Sequence, residues 1–134
     1  MAEVASHDTQ APARRVLVVD DDPDMCCLIE VMLEGHGGFL VVGQAGDGAE
    51  ALRLAAAEKP DVVVLDIQMP GMDGLTALPL LRESLPEARI VVVSAFPDPL
   101  TLCEALRQGV DGYIDKSRLW CELLPTLVGL CAAA

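Results

Sequence analysis

The chain has 134 residues, which suits one ordinary domain, and 52% of them are hydrophobic, enough for a sizeable core. Its net charge of −12, from 21 acidic and 9 basic side chains, argues against direct contact with nucleic acid, because phosphate contacts need clustered Lys and Arg. No apolar run is long enough to span a membrane and no secretory signal pattern opens the chain, so we expect a cytoplasmic location without membrane contact.

Strand-like and helix-like segments alternate five times after residues 1–13, which we expect to form a flexible leader. The predicted strands are β-branched and apolar on both faces, which is typical of parallel strands covered by helices on both sides. In chain order they are Arg15–Asp20, Phe39–Ala45, Val62–Asp66, Arg89–Ser94 and Gly112–Ile114. The predicted helices begin at Pro23 and continue with Ala49–Glu58, Gly74–Leu85, Pro99–Gln108 and Ser117–Cys131.

This alternation predicts an α/β fold, a flavodoxin-like (βα)₅ doubly wound sheet of five parallel strands. We expect one domain over residues 14–131, followed by a short tail at 132–134. Two prolines, Pro79 and Pro125, fall inside predicted helices and should kink them or mark their ends.

Apolar and sulfur-containing side chains give two further expectations. In the first helix, one side is predicted to carry Leu28, Ile29, Met32 and Leu33. The cysteines form no CxxC pair, and we interpret them all as reduced packing residues: Cys26, Cys27, Cys103, Cys121 and Cys131.

Polar side chains stand where four of the predicted strands end. Asp20 and Asp21 close the first strand, Asp66 the third and Ser94 the fourth, and Lys116 follows the fifth. Because the working site of such a fold lies beyond the carboxyl ends of the strands, we expect these groups to converge on one edge. The neighbouring acids Asp22 and Asp24 are better interpreted as charges in the first turn of a helix.

Three carboxylates, a hydroxyl and an amine favour a specific chemistry. Carboxylates packed together repel one another, and a hard divalent cation such as Mg²⁺ removes that conflict. One carboxylate could then attack a phosphorus centre as a nucleophile. The oxygens of the transferred phosphoryl group could be stabilised by the metal, by Lys116 and by Ser94.

Four blocks of the sequence resemble those of bacterial two-component receiver domains, in the same order and spacing. They are VLVVDDDPDM, VVVLDIQMPGMDGL, IVVVSAF and GVDGYIDKS, and the resemblance extends from residue 15 to about residue 131. It implies a phosphorelay response regulator in which Asp66 accepts a phosphoryl group from a histidine kinase. The chain between Val41 and Arg107 is most similar to receivers fused to a helix-turn-helix DNA-binding half.

The same resemblance assigns roles to other residues. It implies that Asp21 binds Mg²⁺ directly and Asp20 through water, and that the backbone carbonyl of Gln68 also meets the metal. It further implies that Ser94 and Lys116 contact the phosphoryl group. Tyr113 is then the aromatic side chain that changes rotamer in the active state.

The residues around Lys116 depart from the family pattern. Ser117 stands where the family often has proline, and Asp115 is a charged residue where uncharged ones are usual. Because neighbouring side chains of a strand face opposite ways, Asp115 need not touch the site.

The last predicted helix carries two apolar stripes. Leu119, Leu123 and Leu127 form one stripe, and a helix on a sheet needs about one. The second stripe contains Trp120, Leu124 and Val128, and its exposure would favour an interface with a second copy or another partner. Alternatively, the N-terminal leader covers a wide buried face.

Two other functions remain to be compared with the receiver. An aspartate-nucleophile phosphatase usually carries DxDx[TV] after the first strand, and a flavin-binding module needs a loop rich in Ser, Thr and Gly there. This chain has DDDPD at that place. Within the receiver interpretation, the sequence leaves open a stand-alone receiver and the receiver part of a transcription regulator.

Overall fold

The computed structural model describes residues 12–69, 74–96 and 98–132. Most of the predicted leader, at 1–11, and most of the predicted tail, at 133–134, lie outside the described residues. The strands are β1 Arg14–Val19, β2 Phe39–Ala45, β3 Val62–Asp66, β4 Arg89–Ser94 and β5 Gly112–Asp115. The helices are α1 Pro23–His36, α2 Gly48–Glu58, α3 Gly74–Ser84, α4 Pro99–Arg107 and α5 Leu119–Ala132, and one 3₁₀ turn at Lys116–Arg118 precedes α5.

The five strands form a single parallel sheet in the order β2-β1-β3-β4-β5. The direction of winding reverses between β1 and β3, and a doubly wound sheet binds its ligands at that point. Val19 lies opposite Leu65 in this pair, so the residue after β1, Asp20, reaches the same level as Asp66. The predicted (βα)₅ parallel sheet is confirmed.

Helices cover both faces of the sheet, as the two-sided apolar strands predict. On one face, Leu17, Leu65 and Val92 pack with α2 and α3. On the other face, Val18, Val64 and Val93 pack with α1 and α5. The side chains of β3 and nearly all of those of β4 are buried, so the middle of the sheet is a rigid base for the residues at its carboxyl edge.

Aspartates begin three of the helices. Asp22, Asp47 and Asp98 each accept a hydrogen bond from a backbone N–H in the first turn of α1, α2 and α4. Such caps satisfy N–H groups that have no partner inside the helix. The predicted first-turn role of Asp22 is therefore refined to that of the N-cap of α1.

Several details of the helices differ from the prediction. Leu28 is 47% exposed, and the buried side of α1 is formed by Cys26, Ile29 and Leu33. Neither internal proline ends its helix: α3 and α5 continue past both. Of the five cysteines, three do not pack in the core, because Cys27, Cys103 and Cys121 are exposed. Among the described residues, no helix is long and apolar enough to cross a lipid bilayer.

Candidate functional site

Three carboxylates meet at the carboxyl edge of the sheet. Asp20 follows β1 and Asp66 ends β3, and each side chain is only 3% exposed. Asp21, one residue further on, is exposed. One carboxylate oxygen from each of the three residues lies within 4.8 Å of those of the other two. The predicted convergence of these acids is therefore present in the structure.

Lys116 brings its ammonium group into this cluster from the end of β5. Its Nζ atom lies 2.9 Å from Oδ2 of Asp20 and 3.2 Å from Oδ2 of Asp66. The lysine side chain is 21% exposed, so its charge is partly removed from water. One cation thus ties the last strand of the sheet to both buried carboxylates.

The net negative charge of the cluster favours the binding of a divalent cation. Three carboxylates and one ammonium give the cluster a formal charge of −2. An oxygen-rich pocket of that charge, with one exposed and two buried carboxylates, fits the preference of Mg²⁺ for a few carboxylates together with water. The residues present therefore fit a magnesium ion.

The pKa values of the two central groups follow from burial and charge. Burial raises the pKa of Asp66 above its ordinary value, and the charge of Asp20 acts in the same direction. The backbone N–H of Gln68 and the Lys116 ammonium oppose this rise without cancelling it. For Lys116, burial alone would lower the pKa, but hydrogen bonds and attraction to Asp20 and Asp66 outweigh burial and raise it. The two directions follow from the burial of Asp66 and from the contacts of Lys116 with two carboxylates.

The loops after β3 and β4 are joined next to Asp66. The backbone N–H of Gln68 donates to Oδ1 of Asp66 at 2.9 Å. The side-chain oxygen Oε1 of the same residue accepts a hydrogen bond from the backbone N–H of Ala95 at 2.8 Å. Ser94, fully buried at the end of β4, accepts a hydrogen bond from the N–H of Phe96 at 3.2 Å. Gln68 therefore links the carboxylate to the start of the loop that leads to α4.

Tyr113 lies in the strand between α4 and α5. Its ring is half-buried against the core layer of α2 and α3. Its phenol oxygen is buried and has no hydrogen-bond partner among the residues that the structure describes. A buried hydroxyl without a partner destabilises the folded state, which makes a change of position easier.

The outer stripe of α5 is partly exposed. Trp120 is 52% exposed and Val128 41%, whereas Leu124 is half-buried against the core. The inner stripe of Leu119, Leu123 and Leu127 is fully buried. The first predicted stripe thus packs in the core, whereas most of the second stripe faces solvent.

A cleft at the opposite, amino edge of the sheet has a volume of about 440 Å³. It is lined by Arg14, Asp61 and Arg89 among others, and by none of the strand-end residues described above. Asp61 accepts a hydrogen bond from the N–H of Arg15, and Arg14 donates to the carbonyl oxygen of Cys131. These polar contacts join elements of the fold, so we place the functional site at the acidic cluster.

Sequence reasoning missed two side chains near the site. The bridge from Gln68 to Ala95 was not foreseen, since only the backbone carbonyl of Gln68 was considered. For Asp115 the sequence indicates only that it need not touch the site, and the structure adds that it accepts two hydrogen bonds from Ser117, one from the N–H and one from the hydroxyl. The D-x-S spacing is a known signal for such a turn and could have revealed this contact.

Known proteins with similar sequences and structures share one family. The family profile described as response regulator receiver domain matches residues 16–124. The nitrate/nitrite response regulator protein NarL of Escherichia coli K12 is 36% identical over 118 residues, which are 88% of this chain and 54% of that protein. The chain thus spans about half the length of the curated relatives it matches.

Two solved structures extend this similarity to the fold. The signal receiver domain of the putative response regulator NarL from Mycobacterium tuberculosis has a TM-score of 0.82 and 36% identity, over 91% of this chain and 98% of that one. A response regulator protein from Burkholderia pseudomallei, solved with a phosphorylated aspartic acid and a calcium ion, has a TM-score of 0.72 and 32% identity. The similarity covers 77% of this chain and 59% of that one.

Proposed function

The chain belongs to the response regulator receiver domain family of two-component signalling, and from this membership we propose that Asp66 accepts a phosphoryl group while Mg²⁺ is bound beside it. One observation carries the proposal: one carboxylate oxygen from each of Asp20, Asp21 and Asp66 lies within 4.8 Å of the other two, and Lys116 bridges the two buried carboxylates. The Burkholderia relative, which holds a phosphorylated aspartic acid and a divalent cation, supports it.

In the proposed reaction, a carboxylate oxygen of Asp66 forms a bond to phosphorus. The bond from phosphorus to the donor breaks, and its electron pair leaves with the donor, an imidazole nitrogen in a phosphohistidine or a carboxylate oxygen in acetyl phosphate. Lys116 Nζ, already 3.2 Å from Asp66, is placed to bind an oxygen of the attached phosphoryl group. The buried Ser94 hydroxyl, at the end of the adjacent strand β4, supplies a neutral hydrogen bond.

The magnesium ion would be held by Asp21, by Asp66 and by the backbone carbonyl of Gln68. Asp20 would contact it through a water molecule. When bound, Mg²⁺ neutralises charge that develops on the phosphoryl oxygens. The charge of −2 on the cluster is the property of this chain that favours such an ion. We assign no enzymatic activity to the chain beyond its own phosphorylation and dephosphorylation.

Signal output would use the face formed by α4, β5 and α5. Movement of Ser94 toward the phosphoryl group would draw the β4–α4 loop inward, and Tyr113 would change rotamer with it. Exposed apolar side chains of α4 and α5, including Leu100, Leu106 and Trp120, are available for a partner or a second copy of the chain. The same proposed interface includes Leu124, which is half-buried, and Val128, which is exposed.

The biological setting completes the proposal. We propose a sensor histidine kinase or a phosphotransfer protein as the phosphoryl donor, a cytoplasmic location, and a receiver domain over residues 14–131. Because relatives such as NarL are about twice as long, the chain could be the receiver part of a transcription regulator, with no direct nucleic-acid contact of its own.

Intact-protein mass spectrometry after incubation with acetyl phosphate tests the phosphorylation. The wild-type protein should gain one phosphoryl group only when Mg²⁺ is present, and the Asp66→Ala variant should gain none. Asp24→Ala is the matched control, because it removes an exposed carboxylate in the first turn of α1, outside the cluster. An adduct that persists in the Asp66→Ala variant would contradict the assignment of the acceptor.

Removing the exposed carboxylate of the cluster should weaken Mg²⁺ binding by at least about 10-fold, since the loss of an outer-shell partner alone typically costs about 10- to 100-fold. We therefore expect Asp21→Asn to abolish most of the rise in thermal unfolding midpoint that Mg²⁺ causes in the wild type. In Mg²⁺-free buffer the same variant should unfold at a slightly higher temperature, because one of three crowded negative charges is gone.

The control for this experiment is Asp24→Asn, which changes the net charge by the same amount. Asp24 lies in the first turn of α1, where a negative charge stabilises the helix, and it is not part of the cluster. Its Mg²⁺-induced rise should equal that of the wild type. If both variants respond to Mg²⁺ alike, the metal does not bind at this cluster.

A further inference from the structure

Two hydrogen bonds join the residues that come directly before and after Lys116 in the sequence. Oδ1 of Asp115 accepts a bond of 2.9 Å from the N–H of Ser117 and one of 2.8 Å from its hydroxyl. Asp115 is the last residue of β5, and Ser117 is the second residue of the 3₁₀ turn that follows. Lys116 is thus the central residue of a closed polar turn, which we name the Asp115–Ser117 bracket.

The bracket supplies order where packing supplies little. Ile114 before it and Leu119 after it are buried at 2% and 1% exposure, so the chain is anchored at both ends. Between these anchors, Ser117 and Arg118 are exposed, and Lys116 is held by its own charged contacts. The ladder with β4 holds Asp115, and the N–H of Leu119 donates to the carbonyl oxygen of Lys116. The bracket adds two side-chain hydrogen bonds to these backbone contacts, at the point where Lys116 leaves the backbone.

The bracket also controls a competing negative charge. Asp115 is adjacent in sequence to the only ammonium group in contact with the cluster among the described residues. The two hydrogen bonds from Ser117 lower the pKa of Asp115, and the bond from the backbone N–H is the larger cause. They also hold the Asp115 carboxylate against Ser117. Without Ser117 as donor, that carboxylate would be free to attract the Lys116 side chain away from Asp20 and Asp66.

We propose that the Asp115–Ser117 bracket is a positioning element that directs Lys116 Nζ at Asp20 and Asp66 and thereby speeds phosphoryl transfer to Asp66. This inference rests on the function proposed above for Asp66. Neither Asp115 nor Ser117 is required to touch the phosphoryl group. The bracket acts through Lys116, and its effect disappears when Lys116 is absent.

The test compares rates of phosphorylation by acetyl phosphate at saturating Mg²⁺ in a double-mutant cycle. Losing a cap of this kind typically corresponds to about a fivefold change in an equilibrium, so Asp115→Ala should slow the reaction about fivefold. Asp115→Asn keeps an oxygen acceptor for both donors of Ser117 and should restore most of the rate. In the Lys116→Met background, adding Asp115→Ala should change the remaining slow rate less than twofold, about the limit of such a comparison.

Two results would overturn the inference. One is a wild-type rate in Asp115→Ala; the other is an equal slowing by Asp115→Ala with and without Lys116, which would mean a general structural effect. Ser117→Ala removes the hydroxyl donor and keeps the backbone N–H bond to Asp115. It provides a second variant if Asp115→Ala proves unstable in thermal unfolding, and it should slow the reaction less than Asp115→Ala but with the same dependence on Lys116. A wild-type protein that gains no phosphoryl group would instead contradict the proposed function itself.

Discussion

Replacing Gly74 with alanine should lower the free energy of unfolding by about 2–4 kcal/mol, because there is no space for a side chain where α3 begins. A Cβ atom at Gly74 would lie 2.5 Å from Cα of Ile67 and 2.7 Å from the backbone oxygen of Asp66. Both are backbone atoms, so no side chain can rotate out of the way. Either α3 or the end of β3 must move, and β3 carries the proposed phosphoryl acceptor.

Gly129 is the matched control for this substitution. It lies inside α5, and a Cβ atom there would meet nothing within 4 Å. Gly129→Ala should therefore stabilise the protein by up to about 1 kcal/mol, since alanine favours a helix interior over glycine. Urea unfolding followed by far-UV circular dichroism measures both effects. Equal midpoints for Gly74→Ala and the wild type would show that α3 can move away without a penalty.

Replacing Lys116 with methionine should slow phosphorylation of Asp66 by about 100-fold, the usual effect of removing one well-placed donor to a developing negative charge. Methionine has a similar length but no charge, so the loss reflects the ammonium contacts at 2.9 Å and 3.2 Å. Mass spectrometry over several hours follows the slow reaction with acetyl phosphate and Mg²⁺.

The only other lysine of the chain, Lys59, offers a direct comparison. It is exposed at the end of α2, outside the acidic cluster. Lys59→Met also removes one positive charge, and Asp66 of this variant should be phosphorylated at the wild-type rate. If the two lysine variants are slowed to the same extent, the effect comes from net charge rather than from the position of Lys116.

The fold could be predicted because buried parallel strands leave a simple pattern. β3 and β4 are apolar runs bounded by polar residues, and both coincide with their predicted ranges, Val62–Asp66 and Arg89–Ser94. The ends of the helices are also marked by residues with a physical role, such as Pro23 and Pro99 in first turns. Each of these signals acts within a few residues of the chain, where sequence reasoning is strongest.

The orientation of a helix on the sheet was harder to predict. In α1, Leu28 was expected beside Ile29 and Leu33, but the structure exposes it and buries Cys26. An apolar stripe on a helix is wider than the part that contacts the sheet, and a small rotation decides which edge is covered. That rotation depends on packing against distant strands and not on the local pattern.

The site was predictable at the level of strand ends but not at the level of side-chain contacts. Asp20, Asp66 and Lys116 meet because parallel strands end at one edge, a rule of topology. The bond from Ala95 to Gln68 spans 27 positions and depends on one rotamer and on two loops. Such contacts follow from three-dimensional placement, which spacing in the sequence does not determine.

The receiver interpretation has support that its two competitors lack. The family profile covers residues 16–124, and the first strand is followed by acids where a flavin-binding module would need a phosphate loop. The interface on α5 stays a prediction, with Trp120 and Val128 exposed as expected and Leu124 half-buried. The alternative, cover by the N-terminal leader, concerns residues 1–11, which lie outside the described part of the chain.

Helix α4 buries few side chains against the rest of the domain, and this affects how easily its position can change. Only Ala105 of its nine residues is buried, whereas Leu100 is 83% and Leu106 57% exposed. Local opening of a segment requires a free energy that grows with the apolar surface it detaches from the core, and here that surface is small. A helix of this length also has little stability of its own. We therefore expect a modest change at Asp66 to reorganise α4 more easily than the buried strands β3 and β4.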